Sequence, residues 1–246
     1  MRVALVTGAT SGIGRATAVA LADAGWWVAA HGRDPARGHE VADALRDRGA
    51  FFPAELEAPG APERLVDEVV AKRGRLDLLV NNAAVHTLGT AADLQAQDLD
   101  RLLALNVRAA VLLAGAAVRA MTERGGGVVV NVASEAGLVA IPGQVAYNVT
   151  KAALIMLTRS IAVDHATAGI RAVSVCPGTT RTPLVDAAIA AADDPAAHER
   201  ELQERRPLGR LGTVEEIAAA IVYAASPEAG FMTGSELVID GGYTAA

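Results

Sequence analysis

Short apolar runs recur along the chain, separated by alanine-rich stretches of mixed polarity. The runs are 2–6 (RVALV), 26–31 (WWVAAH), 50–54 (AFFPA), 76–80 (LDLLV), 127–132 (GVVVNV), 170–176 (IRAVSVC) and 236–240 (ELVID). Several are apolar throughout rather than alternating, the pattern of strands buried on both faces. The stretches between them, near 12–24, 35–48, 61–73, 100–124, 144–168 and 213–225, read as amphipathic helices. Strand and helix in alternation predict an α/β fold, a parallel sheet with helices on both faces. No Pro- or Ser-rich linker, repeat or low-complexity tail interrupts the pattern, so residues 1–246 read as one domain.

One segment breaks the rhythm. Residues 182–212 look helical but contain Pro195, Pro207 and many charges. An insertion of this length between a strand and the next helix predicts a lid over a ligand crevice, with a solvated helical excursion as the alternative.

Composition narrows the function classes. Hydrophobic residues make up 52% of the chain but aromatic ones only 3%, so the core is built from Ala, Val, Leu and Ile. A formal net charge of −6 disfavours a nucleic-acid partner, whose phosphates call for clustered positive charge. The single cysteine, Cys176, allows no intramolecular disulfide and fits a reducing compartment. The N-terminus lacks the longer apolar stretch of a secretory signal. No run approaches the roughly 18 uninterrupted apolar residues of a membrane span. These features predict a soluble, cytoplasmic protein without a membrane partner. The histidines are scattered without ligand spacing, so no metal site is expected.

Candidate chemistry begins at the first turn. Gly8, Gly12 and Gly14 follow the first strand and open the first helix, where glycines let backbone approach a pyrophosphate held at the helix N-terminus. A tight strand–helix turn needs glycine too, so the triplet gains force from its context. Farther on, Ser134 closes the fifth apolar run, and Tyr147 and Lys151 stand four apart near the start of the next helix, on one face. Lys72 and Lys151 are the only lysines among 22 basic residues, in a chain that otherwise writes its positive charge as arginine. A free phenol has a pKa near 10. A nearby ammonium and a helix N-terminus both favour phenolate, so this spacing predicts a tyrosine tuned toward neutrality for general acid–base work. Taken singly, these residues would be a cap, a core ring and a solvated charge; taken in this order after the glycine turn, they predict an active site.

With TGATSGIG (7–14), NNAA (81–84), Asn106, Ser134–Tyr147–Lys151, Pro177–Gly178, Thr182 and the closing TGSELVIDGGYTA in place, the chain resembles the short-chain dehydrogenase/reductase (SDR) family in its classical form, nearly end to end. The resemblance implies a doubly wound, Rossmann-like sheet of about seven strands, a nicotinamide cofactor and a homotetramer. It implies an oxidoreductase interconverting a ketone and a secondary alcohol, with 3-oxoacyl-type or cyclic ketones as the narrower guess. Tyr147 would pass the proton, Ser134 would hold the substrate oxygen, Lys151 would hold the nicotinamide ribose and lower the Tyr147 pKa, and Asn106 would support a relay water. The implied cofactor contacts are Gly8, Thr10, Ser11, Gly12, Ile13, Gly14, Arg33, Glu55, Leu56, Asn82, Ala83, Ala84, Tyr147, Lys151, Pro177, Gly178, Thr180 and Thr182. Substrate candidates are His86, Ser134, Glu135, Gln144 and Tyr147. A non-catalytic dinucleotide-binding regulator, or lyase or isomerase chemistry on the same scaffold, is the alternative; the intact Ser134, Tyr147 and Lys151 argue against the regulator.

Three positions depart from the family pattern: Ala84 replaces the usual glycine of NNAG, Glu55 the usual aspartate, and Val173 a common asparagine. Arg205 and Arg206 are either contacts for an acidic substrate or carrier, or a solvated charge run. At the end of the second strand Gly32 stands where NAD-selective members carry Asp, and Arg33 follows where NADP-selective members often carry Arg. NADP(H) is therefore favoured and NAD(H) left open, with Asp34 as the opposing charge.

Overall fold

In the computed structural model, which describes residues 1–246, all seven apolar runs form strands. They are β1 Val3–Val6, β2 Trp27–Gly32, β3 Gly49–Pro53, β4 Leu78–Asn81, β5 Gly127–Val132, β6 Ile170–Pro177 and β7 Ser235–Ile239. The strands pair in parallel in the order β3-β2-β1-β4-β5-β6-β7. The order reverses between β1 and β4, and a doubly wound sheet opens its crevice at the carboxyl ends on either side of such a reversal.

The helices are α1 Gly12–Asp23, α2 Pro35–Leu45, α3 Ala61–Arg73, α4 Ala96–Leu102, α5 Ala110–Thr122, α6 Val145–His165, α7 Pro183–Ala190, α8 Pro195–Glu204 and α9 Val214–Ala225. Alternate residues of β1 feed opposite cores, as a period of two requires. Val3 and Leu5 pack with Leu65 of α3, Leu113 and Met121 of α5 and Ile161 of α6. Ala4 and Val6 pack with Leu21 of α1, Val41 of α2 and Ile217 and Ile221 of α9. Burying each such leucine contributes about 1.5–3 kcal/mol. Trp26 and Trp27 are buried too, with the Arg2 and Arg73 guanidinium groups over their rings, so their part is packing.

Two departures from the sequence pattern bear on the site. The helix expected over 100–124 begins at Ala96 and carries a π-helical segment, Leu103–Ala109, between α4 and α5. The whole stretch, Ala96–Thr122, is 27 residues and apolar enough to cross a bilayer by length and composition, yet 56% of its most apolar window is buried inside this fold. Within 182–212, Pro195 starts a helix rather than breaking one. It stands at the first position of α8, where a missing N–H costs nothing, and Asp194 caps the Ala197 N–H.

Candidate active site

The first turn is built for close approach. Gly8 has φ +65°, and a Cβ on Gly14 would lie 2.2 Å from the Gly8 carbonyl oxygen, so no larger residue lets α1 start so near the turn. Ser11, the residue before α1, makes no side-chain cap, which leaves the first N–H groups of a 12-residue helix facing the crevice. That donor set at the positive end of a helix fits a pyrophosphate. Thr7 and Asn82 staple the 81–84 loop to this turn: the Thr7 hydroxyl accepts from the Asn82 and Ala83 N–H groups at 2.9 and 3.0 Å, and Asn82 Nδ2 donates to the Thr7 carbonyl at 2.9 Å.

Sequence reasoning missed His31. The Gly8 N–H donates to its Nδ1 at 3.3 Å, and its Nε2 lies 3.1 Å from the Ala54 carbonyl. Burial pulls its pKa down to about 4, so the ring is neutral, with Nε2–H donating to Ala54 and Nδ1 accepting from Gly8. It ties the carboxyl ends of β1, β2 and β3 together. A lone histidine inside an otherwise apolar strand was the available signal.

Ser134, Tyr147 and Lys151 converge at the carboxyl end of β5. Ser134 lies two residues past β5 and opens a short 3₁₀ turn, its hydroxyl accepting from the Ala136 N–H at 3.1 Å. Tyr147 is in the first turn of α6 and Lys151 is one turn on, its Nζ 5.5 Å from the Tyr147 ring centroid. The expected depression of the Tyr147 pKa by Lys151 is not what the structure shows. Burial pushes the phenol up to about 12, the Ser134 hydrogen bond pulls it down, and the nearby Glu135 pushes it up. Part of the ring still faces the crevice, where water tempers the effect of burial. The Lys151 ammonium is committed elsewhere, donating to the Val132 carbonyl at 2.8 Å, and burial lowers its own pKa to about 8.

Asn106 sits in the π-helical segment, a distortion frequent at functional sites. Its Oδ1 accepts from the Val85 N–H at 2.8 Å, and its Nδ2 donates to the Val85 carbonyl at 2.9 Å and the Thr150 hydroxyl at 3.2 Å. The side chain thus braces the 82–90 loop against α6, one residue before Lys151.

Comparison with known proteins agrees with this geometry. The family profile described as "Enoyl-(Acyl carrier protein) reductase" matches residues 8–244. An uncharacterized oxidoreductase of Thermotoga maritima is 44% identical, covering 99% of this chain and 98% of that one. D-threitol dehydrogenase of Mycolicibacterium smegmatis is 38% identical over 99% of this chain and 93% of its own. The crystal structure of a short-chain type dehydrogenase/reductase from Mycobacterium marinum superposes with a TM-score of 0.91 at 35% identity, covering 100% of this chain and 96% of that one. The chain belongs to the short-chain dehydrogenase/reductase family. It is an oxidoreductase acting on alcohols, and family membership implies a nicotinamide dinucleotide cofactor.

At the adenosine end of this SDR crevice, a Cβ on Gly32 would lie 2.4 Å from Thr10 Cγ2, so Thr10 fills the space a longer side chain at 32 would need. Arg33 and Glu55 are exposed and lie 3.8 Å apart. The Leu56 side chain is packed into the core. Across the crevice, Thr182 caps α7 through the Val185 N–H, and its methyl lies 3.3 Å from where a Gly12 Cβ would be. Pro177 ends β6, and the buried Thr180 hydroxyl donates to the Gly178 carbonyl at 2.9 Å. The Cys176 thiol, also buried, is held up to about 12 by desolvation first. It is unreactive at neutral pH.

On the substrate side of the SDR site the sequence expectations divide. His86 meets Tyr147 edge to face, ring centroids 4.8 Å apart at 72°, which brings it beside the phenol. Gln144 pairs through its backbone with Gly89, and its side chain makes no cap on α6. Glu135 does not line the crevice. It is 3% exposed and points inward to Arg206. Nor is Arg206 part of a solvated run or a contact for an acidic carrier, being 4% exposed, whereas Arg205 pairs with Glu201 on its own helix. Sequence pattern could not find the Glu135–Arg206 pair, whose members stand 71 positions apart.

Proposed function

We propose that the enzyme interconverts a small, neutral secondary alcohol and its ketone, with Tyr147 as general acid/base. The observation that carries this reading is the meeting of the Ser134 hydroxyl and the Tyr147 phenol past the carboxyl end of β5, with Lys151 one helical turn away. When bound, the nicotinamide supplies or accepts the hydride. Ser134 donates to the substrate oxygen, and Tyr147 Oη gives its proton to the carbonyl in reduction or takes one from the alcohol in oxidation. The first turn of α6 places positive charge behind that proton transfer, and Lys151, whose ammonium has donors beyond the one spent on Val132, would hold the ribose hydroxyls. Asn106 keeps the helix and the 82–90 loop in register. The 182–212 segment serves as the lid, its helices α7 and α8 joined by Arg181 just before it, which pairs with Asp186 and Glu199.

A neutral substrate suits the site better than an acyl carrier, because Arg205 and Arg206 both have carboxylate partners. The kinship with a D-threitol dehydrogenase points the same way. A panel of linear polyols, cyclic alcohols, cyclic ketones and 3-oxoacyl thioesters, followed by nicotinamide absorbance, tests this. Turnover confined to the thioesters would overturn it.

NADP(H) is the proposed cofactor, in preference to NAD(H). Gly32 and Thr10 leave no carboxylate at the ribose, and Arg33 is free to turn to a 2′-phosphate, since its exposed pair with Glu55 is weak. Arg33→Ala is expected to weaken NADP(H) binding about tenfold and leave NAD(H) binding unchanged, a loss of about 1.4 kcal/mol. Tighter NAD(H) than NADP(H) binding by the unaltered protein would remove Arg33 from this role. Reversal by Gly32→Asp requires Thr10→Gly in the same chain, because Thr10 occupies the space the carboxylate must enter.

The protein acts in the cytoplasm as a homotetramer. Val149, Met156 and Val163 are exposed at heptad spacing along α6, a stripe suited to pairing with a second copy. Val163→Glu with Met156→Lys is expected to shift its sedimentation to smaller species.

A further inference from the structure

Glu135 is the neighbour of Ser134 in sequence, and Arg206 stands two residues past the end of α8. Their charges meet in the interior, Arg206 Nη2 lying 2.7 Å from Glu135 Oε1 with side chains 3% and 4% exposed. The same guanidinium bonds the Thr179 hydroxyl on the turn after β6 and lies 5.3 Å from the centre of the Tyr243 ring. A Cβ on Gly178 would come within 2.7 Å of Glu135 Oε2, so glycine at that turn makes room for the carboxylate. Ser134 is extended (φ −175°, ψ 160°), which sends successive side chains to opposite sides: the carboxylate inward, the hydroxyl to the phenol. Glu135 Oε2 and Arg206 Nε find no hydrogen-bond partner in the chain. A buried pair left so incomplete is a poor source of stability, and apolar residues of equal volume would hold the loops as well.

We propose that Glu135 and Arg206 are positioning residues, a buried latch that fastens the 182–212 segment over the substrate crevice while aiming the Ser134 hydroxyl. The kinetic consequence rests on the dehydrogenase role proposed for Ser134 and Tyr147; the latch itself does not. The charged and titratable groups facing Glu135 are Arg206 from the end of α8, Asp240 from the end of β7 and Tyr147 from α6. Burial raises Glu135 to about 7 against the pull of Arg206, and Asp240 adds to the rise. The carboxylate is therefore intact above that pH and gains a proton below it, loosening the latch.

The test uses the full-length enzyme with cofactor and the Glu135→Gln variant, which keeps shape and removes charge. We expect substrate KM to rise at least tenfold, cofactor affinity to stay unchanged, and trypsin to cleave at Arg200 and Arg205 at least tenfold faster. KM of the unaltered enzyme should fall as pH rises through about 7, while that of the variant stays flat. Wild-type KM and cleavage rate in the variant would overturn the proposal, as would lowered thermal stability with an unchanged pH profile. Should Glu135→Gln fail to fold, Arg206→Lys, which keeps the charge but loses the planar fork, gives the same readouts. An unaltered enzyme that turns over no alcohol would sink the dehydrogenase role, and the cleavage rates would still decide the latch.

Discussion

Tyr147→Phe is expected to lower turnover at least about 100-fold while cofactor affinity stays within about twofold, the loss typical of a general acid–base group. Phenylalanine keeps the ring and its edge contact with His86, so the crevice wall survives. What disappears is the hydroxyl and its bond to Ser134. The pH dependence gives a second check. With the phenol held up near 12, its proton stays on across neutral pH, which suits the acid needed for ketone reduction. Alcohol oxidation needs the phenolate, so its rate should climb as pH rises into the alkaline range, and the residual rate of Tyr147→Phe should not. Stopped-flow turnover in both directions, with cofactor fluorescence for binding, measures all three quantities. Near-normal turnover in the variant would remove Tyr147 from the chemistry.

The sheet was legible because each strand is a short apolar run bounded by turn residues, and burial on both faces leaves little else for such runs to become. The Ser134, Tyr147 and Lys151 set was legible because two of its members lie on one helix face and the third at a strand end. Electrostatics was less so. Spacing places a lysine near a phenol, but it does not disclose that the ammonium is spent on the Val132 carbonyl or that burial outweighs it. The same limit hid Glu135 and Arg206, whose charges look solvated until the fold carries them inside. Asn106 was found as an unusual helix residue, yet the π-helical segment that carries it and its bonds to Val85 were not read from the sequence.

Lys151→Arg is expected to cut activity on the order of 100-fold and to weaken cofactor binding at least tenfold, although charge is conserved. Lys151 is 3% exposed, its ammonium donates to the Val132 carbonyl, and it lies on a helix whose backbone at 151 would come within 2.8 Å of a Cβ on Gly137. A planar guanidinium, longer and wider, cannot stand in the same place beneath a ribose, and a small misplacement is costly for a positioned reaction. Lys151→Met separates function from folding. Folded, the lysine releases its proton near pH 8, whereas its ordinary value is 10.5, so the unfolded chain binds more protons between those values and stability rises with pH across that window. At pH 7 the buried charge costs on the order of 3 kcal/mol, partly returned by the bond to Val132. Lys151→Met removes the charge, leaves the Val132 carbonyl unpaired at about 1–3 kcal/mol, and so should be inactive yet comparably stable at pH 7. Between pH 8 and 10.5 the unaltered protein should gain on it by up to a few kcal/mol. Denaturant titrations of both proteins at pH 7 and 10 measure the difference. A fully active Lys151→Arg would refute the ribose-holding role, and a pH-independent stability difference would refute the buried-ammonium assignment.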